Sequence, residues 1–519
     1  MARRLLWIAL ATLIVVGVAA VVFLIRAGDP GATNWPITFE LRSSDNGVLF
    51  QFAQDVYLGR PLDWSFSPQV FVFPEIPISL IAFGLAGGTV QAYYFVVALI
   101  NSALLFLGLV AVLRYLYPAE SVTRRLGRAG IAMTPLLLLP LLGTSWLFEY
   151  QLAPTYYFGM YLLLLVAPVL FFSCGRAAKI ALGIGIALTA ASNPLALVFL
   201  VPAFVVVLLV RALAGGVRSI VRPSVLAGGV IVLAVALRLA FLGRLQGGSP
   251  FAYVDTSIFA GRVQVIEAYL RSLLSVPATA MVTLAGVVLD LSGVVVAVVL
   301  AVRMIRHRLA NRAVPGVAIY YAILPLAGLA GTVVLIITDY LYLWPVIVLP
   351  LVLVLLPLPS TWLPWAGGVA IASLVVAGAV TGGASNLGHV SRYFAYRSAE
   401  TRCLDAKLPA GMTVGYATFS DARRLELTSR RGIRLIQLKS SGVRAYWLTN
   451  RDYARDNVGH FFYINGRGDE PAISVDYIET HFGFPDSTFS CGPGQSVLVY
   501  TQPAKLAAIK ARYAVLPAP

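Results

Sequence analysis

The chain has 519 residues, of which 59% are hydrophobic and 12% charged, with a mean hydropathy of +0.82. That composition excludes an ordinary soluble domain and reads as a polytopic membrane protein. The net charge of +16 does not make it a nucleic-acid binder, because the basic residues fall in short loops between apolar runs rather than on one polar face.

The first expected span covers residues 5–25, behind Arg3 and Arg4. A cleaved signal peptide is the alternative. The run is longer than a usual signal core and no small-x-small cleavage site follows, so retention is the expectation. The loop after it, 34–88, is the most acidic stretch near the expected membrane part, with Glu40, Arg42, Asp45, Asp55, Arg60, Asp63 and Glu75. Ionisable groups beside lipid are costly to keep, which makes this loop the expected place of chemistry. Its last part, 76–88, is apolar but too short to cross a bilayer and reads as a helix lying in the interface.

Further spans are expected at 91–113, 131–146, 155–173, 180–191, 195–210 and 225–242, with a hinge at Ser192-Asn193-Pro194. A polar loop of amphipathic helical spacing, 244–276, carries Asp255, Arg262, Glu267, Tyr269 and Arg271. Spans at 282–302, 317–337, 340–356 and 365–380 bring the expected count to eleven. Fifteen Lys/Arg then fall on one side of the membrane and six on the other before the tail, which places the N-terminus inside and the C-terminus outside. Arginine is preferred over lysine, as in GC-rich bacterial genomes, so the expected location is a bacterial inner (plasma) membrane.

From residue 387 the composition turns polar, with strand-like runs at 412–419, 433–438, 445–448, 461–464 and 496–501 and helical patterns at 420–428, 452–457 and 475–482. The expected organisation is a transmembrane α-helical domain, 1–386, with an outer loop at 29–90, and an extracytoplasmic α/β domain, 387–519. Three cysteines are too few for a disulfide framework or thiolate metal cluster, but Cys403 and Cys491 share the tail and one bridge there is expected. Cys174, at the end of a span, reads as a small apolar residue.

Asp45, followed by Asn46-Gly47, can act as a general base or simply form a turn. Asp55 can be a second acid, a metal ligand or a helix-face charge, whereas Asp63 and Glu75 read as structural. Arg262 and Arg271 suit bidentate phosphate binding, or else meet lipid headgroups. Arg392 and Arg397 are further phosphate candidates. Arg238 and Asp290 lie inside expected spans and read as an ion pair, buried or facing a cavity. Glu149, Tyr150 and Asp339 complete the expected cavity lining. In the tail, Trp447, Asn450, Tyr453, Phe461 and Phe462 would suit sugar stacking, although burial in a core is the preferred reading.

The order of first span, acidic outer loop, interfacial helix, alternating spans and outer C-terminal domain resembles the GT-C glycosyltransferases, integral membrane enzymes that use polyprenyl-phosphate sugars. The matching residues are Asp45, at the family's first-loop acid position, and Asp55-x-x-x-Gly59-x-Pro61 leading to Phe73-Pro74-x-x-Pro77. Many relatives carry two adjacent acids where this chain has Asp45-Asn46, a departure that counts against metal coordination by the pair, while a divalent cation stays open as a cofactor. The resemblance implies an inverting sugar transfer to a lipid or glycan acceptor on the outer face, with Asp45 as general base and arginines holding the departing phosphate. A transporter or flippase of a lipid-linked saccharide is the alternative, and a non-catalytic assembly subunit a third.

Overall fold

The computed structural model describes residues 2–28, 47–67, 69–142, 157–172, 175–240, 316–317, 319–321, 323–324, 361–380, 383–445, 449–450, 460–466 and 471–514. The first helix, α1 (Ala2–Ala27), is followed by α2 (Gly47–Tyr57), the short strand β1 (Trp64–Ser65) and α3 (Glu75–Ala86). Then come α4 (Val90–Leu116), α5 (Val122–Leu142), α6 (Phe158–Phe172), α7 (Arg176–Ser192), α8 (Leu195–Gly215), α9 (Val221–Ala240) and α10 (Leu363–Val380).

Four described helices, α1, α4, α8 and α9, are long and apolar enough to cross a membrane, while α3, α6 and α10 are apolar but shorter. The expected count of eleven is therefore met only in part. The expected spans at 282–302 and 340–356 lie outside the described residues, and 317–337 is described at a few positions only. Membrane character also appears on the surface: Leu6, Leu13, Leu213, Val225, Leu239 and Trp365 are all exposed. Continuous apolar faces of this kind are what helices present to lipid and what water-soluble monomers avoid.

One boundary differs markedly from expectation. Helix α5 starts at Val122, nine residues before the expected span, so Arg124, Arg125 and Arg128 are helical rather than in a loop. Arg128 can be buried there because its guanidinium pairs with Glu120 at 2.7 Å and lies 4.5 Å over the Tyr117 ring. Arg4 and Arg114 act electrostatically on Arg125, so three expected inner-side arginines gather at one end of the bundle.

At the opposite end, Phe23 of α1 meets Phe95 of α4 edge-on at 5.4 Å and Tyr393 at 5.7 Å. There two short helices, α11 (Gly383–Gly388) and α12 (Val390–Phe394), lead into the C-terminal domain. Its elements are α13 (Ala399–Lys407), β2 (Val414–Ala417), α14 (Phe419–Thr428), β3 (Arg434–Gln437), β4 (Thr449–Asn450), β5 (His460–Asn465), α15 (Val475–Phe482), β6 (Ser487–Gly492), β7 (Gln495–Tyr500) and α16 (Pro503–Ala514). Five strands form one sheet in the order β3-β2-β5-β7-β6, parallel across β3, β2 and β5 and antiparallel beyond.

The two-residue strand period places helices on both faces of this sheet. Phe462 and Ile464 join Ile478, Phe482, Ile509 and Tyr513 in one layer, whereas Phe461 and Tyr463 join Leu404, Ala422 and Leu425 in the other. The two neighbouring phenylalanines are thus core residues on opposite faces. Cys403 and Cys491 are bonded, with Cα atoms 5.6 Å apart, and tie α13 to β6. The expected helix at 452–457 and most of the expected strand at 445–448 lie outside the described residues.

Candidate functional site

The described part of the opening loop, from Gly47 on, lies between the helix bundle and the C-terminal domain, and α2 is the piece that faces both. Its apolar side carries Leu49 and Phe50. Ser79 of α3 donates to the Leu49 carbonyl at 2.7 Å, and Phe50 packs against Phe83 at 5.3 Å and Tyr93 at 5.2 Å. Its polar side carries Gln51, Gln54 and Asp55, spaced three and four residues apart so that they share one helix face.

That polar face is matched by the C-terminal domain. The Gln51 amide donates to Glu426 at 2.5 Å and accepts from Arg423, whose guanidinium also pairs with Glu426 at 2.9 Å. Gln54 accepts from Arg434 at 2.9 Å. The Asp55 carboxylate is fully buried. It accepts from Trp64 Nε1 at 3.1 Å, Asn450 Nδ2 at 2.9 Å and Arg60 at 3.3 Å, with Arg434 3.9 Å away. Strand β1 then pairs with β4, Trp64 opposite Asn450, and Arg423 lies 5.7 Å from the Trp64 ring centre. Burial pushes the Glu426 carboxyl up to about 7, against the opposing pull of Arg423 and of the Leu435 N–H.

The close fit has a glycine at its edge. A Cβ on Gly47, the first residue of α2, would meet the Leu427 side chain at 2.7 Å. Helix α14 therefore presses directly on the start of α2, two positions after Asp45.

The loop then reaches the bundle. Val70 donates from its backbone to the Ser192 carbonyl at 2.9 Å, and the Phe73 N–H to the Ser192 hydroxyl at 3.0 Å. The Asn193-Pro194 break between α7 and α8 thus serves as an anchor for the loop. Arg238 binds the same corner, donating to the Ala191 carbonyl at 3.0 Å.

Glu75 opens α3 and is buried. Its Oε1 accepts from the Gly159 N–H at 2.9 Å, at the start of α6. Only glycine admits that approach, since a Cβ at 159 would lie 2.2 Å from the Pro74 ring. Burial pushes the Glu75 carboxyl up to about 8, the Gly159 and Glu75 N–H groups offsetting part of the effect. Beside it is a cavity of about 10 Å³, lined by Leu49, Glu75, Ile78, Ser79, Tyr93, Val97, Asn101 and Phe158. A larger cleft of about 370 Å³ lies outside the carboxyl ends of β2 and β3, with Thr418, Phe419, Lys439, Ser440 and Pro471 among its lining residues.

The expected site residues fall into two groups. Asp45, Glu149, Tyr150, Arg262, Arg271, Asp290 and Asp339 lie outside the described residues. Of the rest, Asp55 is the hub just described. Arg397 pairs with Asp405 and donates to the Thr428 carbonyl at 3.3 Å, while Arg392 is exposed on α12. Sequence reasoning missed Arg423, Glu426 and Arg434. A usable signal existed: Arg423 and Glu426, three apart, stand on the same side of α14 as the buried Ala422 and Leu425. Among the described residues no group of three His, Cys, Asp or Glu side chains could hold a metal ion. In comparisons with known proteins, the chain matches no family model, no curated protein and no solved structure.

Proposed function

We propose that this chain is a membrane-embedded glycosyltransferase. It moves a sugar from a polyprenyl-phosphate donor to a lipid or glycan acceptor, with inversion, at the end of the bundle that carries the C-terminal domain. The observation behind this reading is the seating of the acidic opening loop: α2 is gripped on one side by α3 and on the other by Arg423, Glu426, Arg434 and Asn450. A loop held so firmly beside the apolar bundle suits a reaction between a lipid-borne donor and a polar acceptor, because transfer depends on fixed geometry.

In this reading Asp45 takes the proton of the acceptor hydroxyl as the new glycosidic bond forms, and the sugar–phosphate bond breaks to release the polyprenyl phosphate. Arg262 or Arg271 steadies the departing phosphate. The positions of the arginines support the sidedness, since Arg4, Arg114 and Arg125 gather at the end away from the C-terminal domain. The bonded cysteines fit an oxidising, extracytoplasmic setting for that domain.

The test is Asp45→Asn, assayed in proteoliposomes with radiolabelled polyprenyl-phosphate hexoses and pentoses and a crude lipid-glycan acceptor fraction. Removing a general base lowers the rate by about 100- to 10,000-fold, with folding and donor binding little changed. A variant that transfers sugar at the parent rate rejects Asp45 as the base. Glu75, a carboxyl buried beside the apolar helices, favours the second reading, a transporter of a lipid-linked saccharide. That reading gains if sugar crosses the vesicle membrane without changing carrier.

A further inference from the structure

Buried acids are normally neutralised by a cation, by several hydrogen bonds or by a proton. Among the described residues Glu75 has no cation: no charged side chain acts on its carboxyl, and the groups lining the adjoining cavity from α2, α3, α4 and α6 include no cation. The hydrogen bonds that reach it are backbone N–H donors, from Gly159 and from its own residue. Tyr93 is the other titratable group there, and its hydroxyl is paired with Ser79 Oγ at 2.7 Å. Because Ser79 spends its own proton on the Leu49 carbonyl, Tyr93 is the donor in that pair. A proton is the remaining way to neutralise Glu75.

The same cavity has a second polar feature. Asn101 of α4 is buried, and among the described residues its Oδ1 has no hydrogen-bond partner. A buried acceptor left without a partner is costly, so it calls for a donor. The cavity, at about 10 Å³, is the size that holds one water molecule, and it is polar enough to keep one.

We propose that this cavity is a proton-binding site, in which protonated Glu75 donates to one bound water and that water donates to Asn101 Oδ1. The arrangement settles both demands at once: the acid is neutral and the amide oxygen is satisfied. It lies where α3 and α6 begin and is separate from the transfer chemistry, on which it does not depend. Releasing the proton leaves a carboxylate with backbone N–H donors but no cation among Leu49, Ile78, Val97 and Phe158, so occupancy controls how well α3 sits against α4 and α6.

The experiment is infrared difference spectroscopy on the full-length protein in nanodiscs, from neutral pH to about pH 10. Beyond the signal from Glu426, whose raised carboxyl titrates in the same range, the parent should lose a protonated-carboxyl carbonyl band over that rise, the band should shift in D2O, and Glu75→Gln should lack it. Glu75→Gln preserves the shape and neutrality of the protonated acid, so it folds like the parent. In Asn101→Leu, which removes the acceptor, the band should persist at a shifted frequency. The absence of the band in the parent at neutral pH, or its persistence in Glu75→Gln, overturns the proton site. An unshifted band in Asn101→Leu overturns the water link to that residue.

Discussion

Asp55 and Glu75 are two buried carboxyls twenty residues apart whose surroundings assign them opposite states. Asp55 has two arginines, an indole N–H and an amide around it and is held as an anion. Asp55→Asn removes the carboxylate that Arg60 and Arg434 approach, and breaking a buried ion pair costs about 3–5 kcal/mol. The expected outcome is a lower Tm and faster protease cleavage within the loop. An Asp55→Asn protein with the parent's Tm would contradict the hub. Glu75 behaves in the reverse way. Its folded pKa, about 8, lies above the ordinary 4.5, so between those values the folded chain holds a proton that the unfolded chain has lost. Stability should therefore fall as pH rises through that window and level off above about 8, and the slope should be shallower in Glu75→Gln. Thermal melts of the two proteins across the window check it.

Elements were legible where local pattern and environment agree. Helix α15, Val475–Phe482, begins at a serine that caps its first turn and ends at Gly483, and its ends match expectation. Strand β6 was not legible. Ser487–Gly492 is mostly polar and half-exposed at a sheet edge, so it lacks the alternating apolar signal of a half-buried strand. The start of α5 was misread for another reason: Arg124, Arg125 and Arg128 resemble loop charges until Glu120 and Tyr117 are seen beneath Arg128. The polar face of α2 could be read as a helix face, but its partners in the C-terminal domain lie 372 to 395 residues away. No local pattern specifies a pairing at that range. The cysteine pair spans 88 residues and constrains the unfolded tail by about 4–5 kcal/mol in the chain-entropy model. Replacing both cysteines with serine should lower the melting transition of the C-terminal domain. A transition that does not move would show that the bridge adds little to the sheet's own stability.

For the whole molecule, the arginine-rich end and the C-terminal domain occupy opposite ends of the described bundle. If positive charge sets orientation, an export-dependent reporter fused after Pro519 is active and a cytoplasm-dependent one is silent. The reverse result would move the opening loop, and the proposed transfer with it, to the cytoplasmic side.

The pairing of α2 with the C-terminal domain also sets a timetable. Asp55 leaves the ribosome 395 residues before Asn450, a delay of roughly 20–80 s at about 5–20 residues per second. During that interval Gln51, Gln54 and Asp55 lack the partners that later bury them. The amino-terminal part of a nascent chain is therefore exposed to quality-control proteases until its last quarter is made. A C-terminal domain supplied as a separate exported polypeptide should rescue a chain truncated ahead of it.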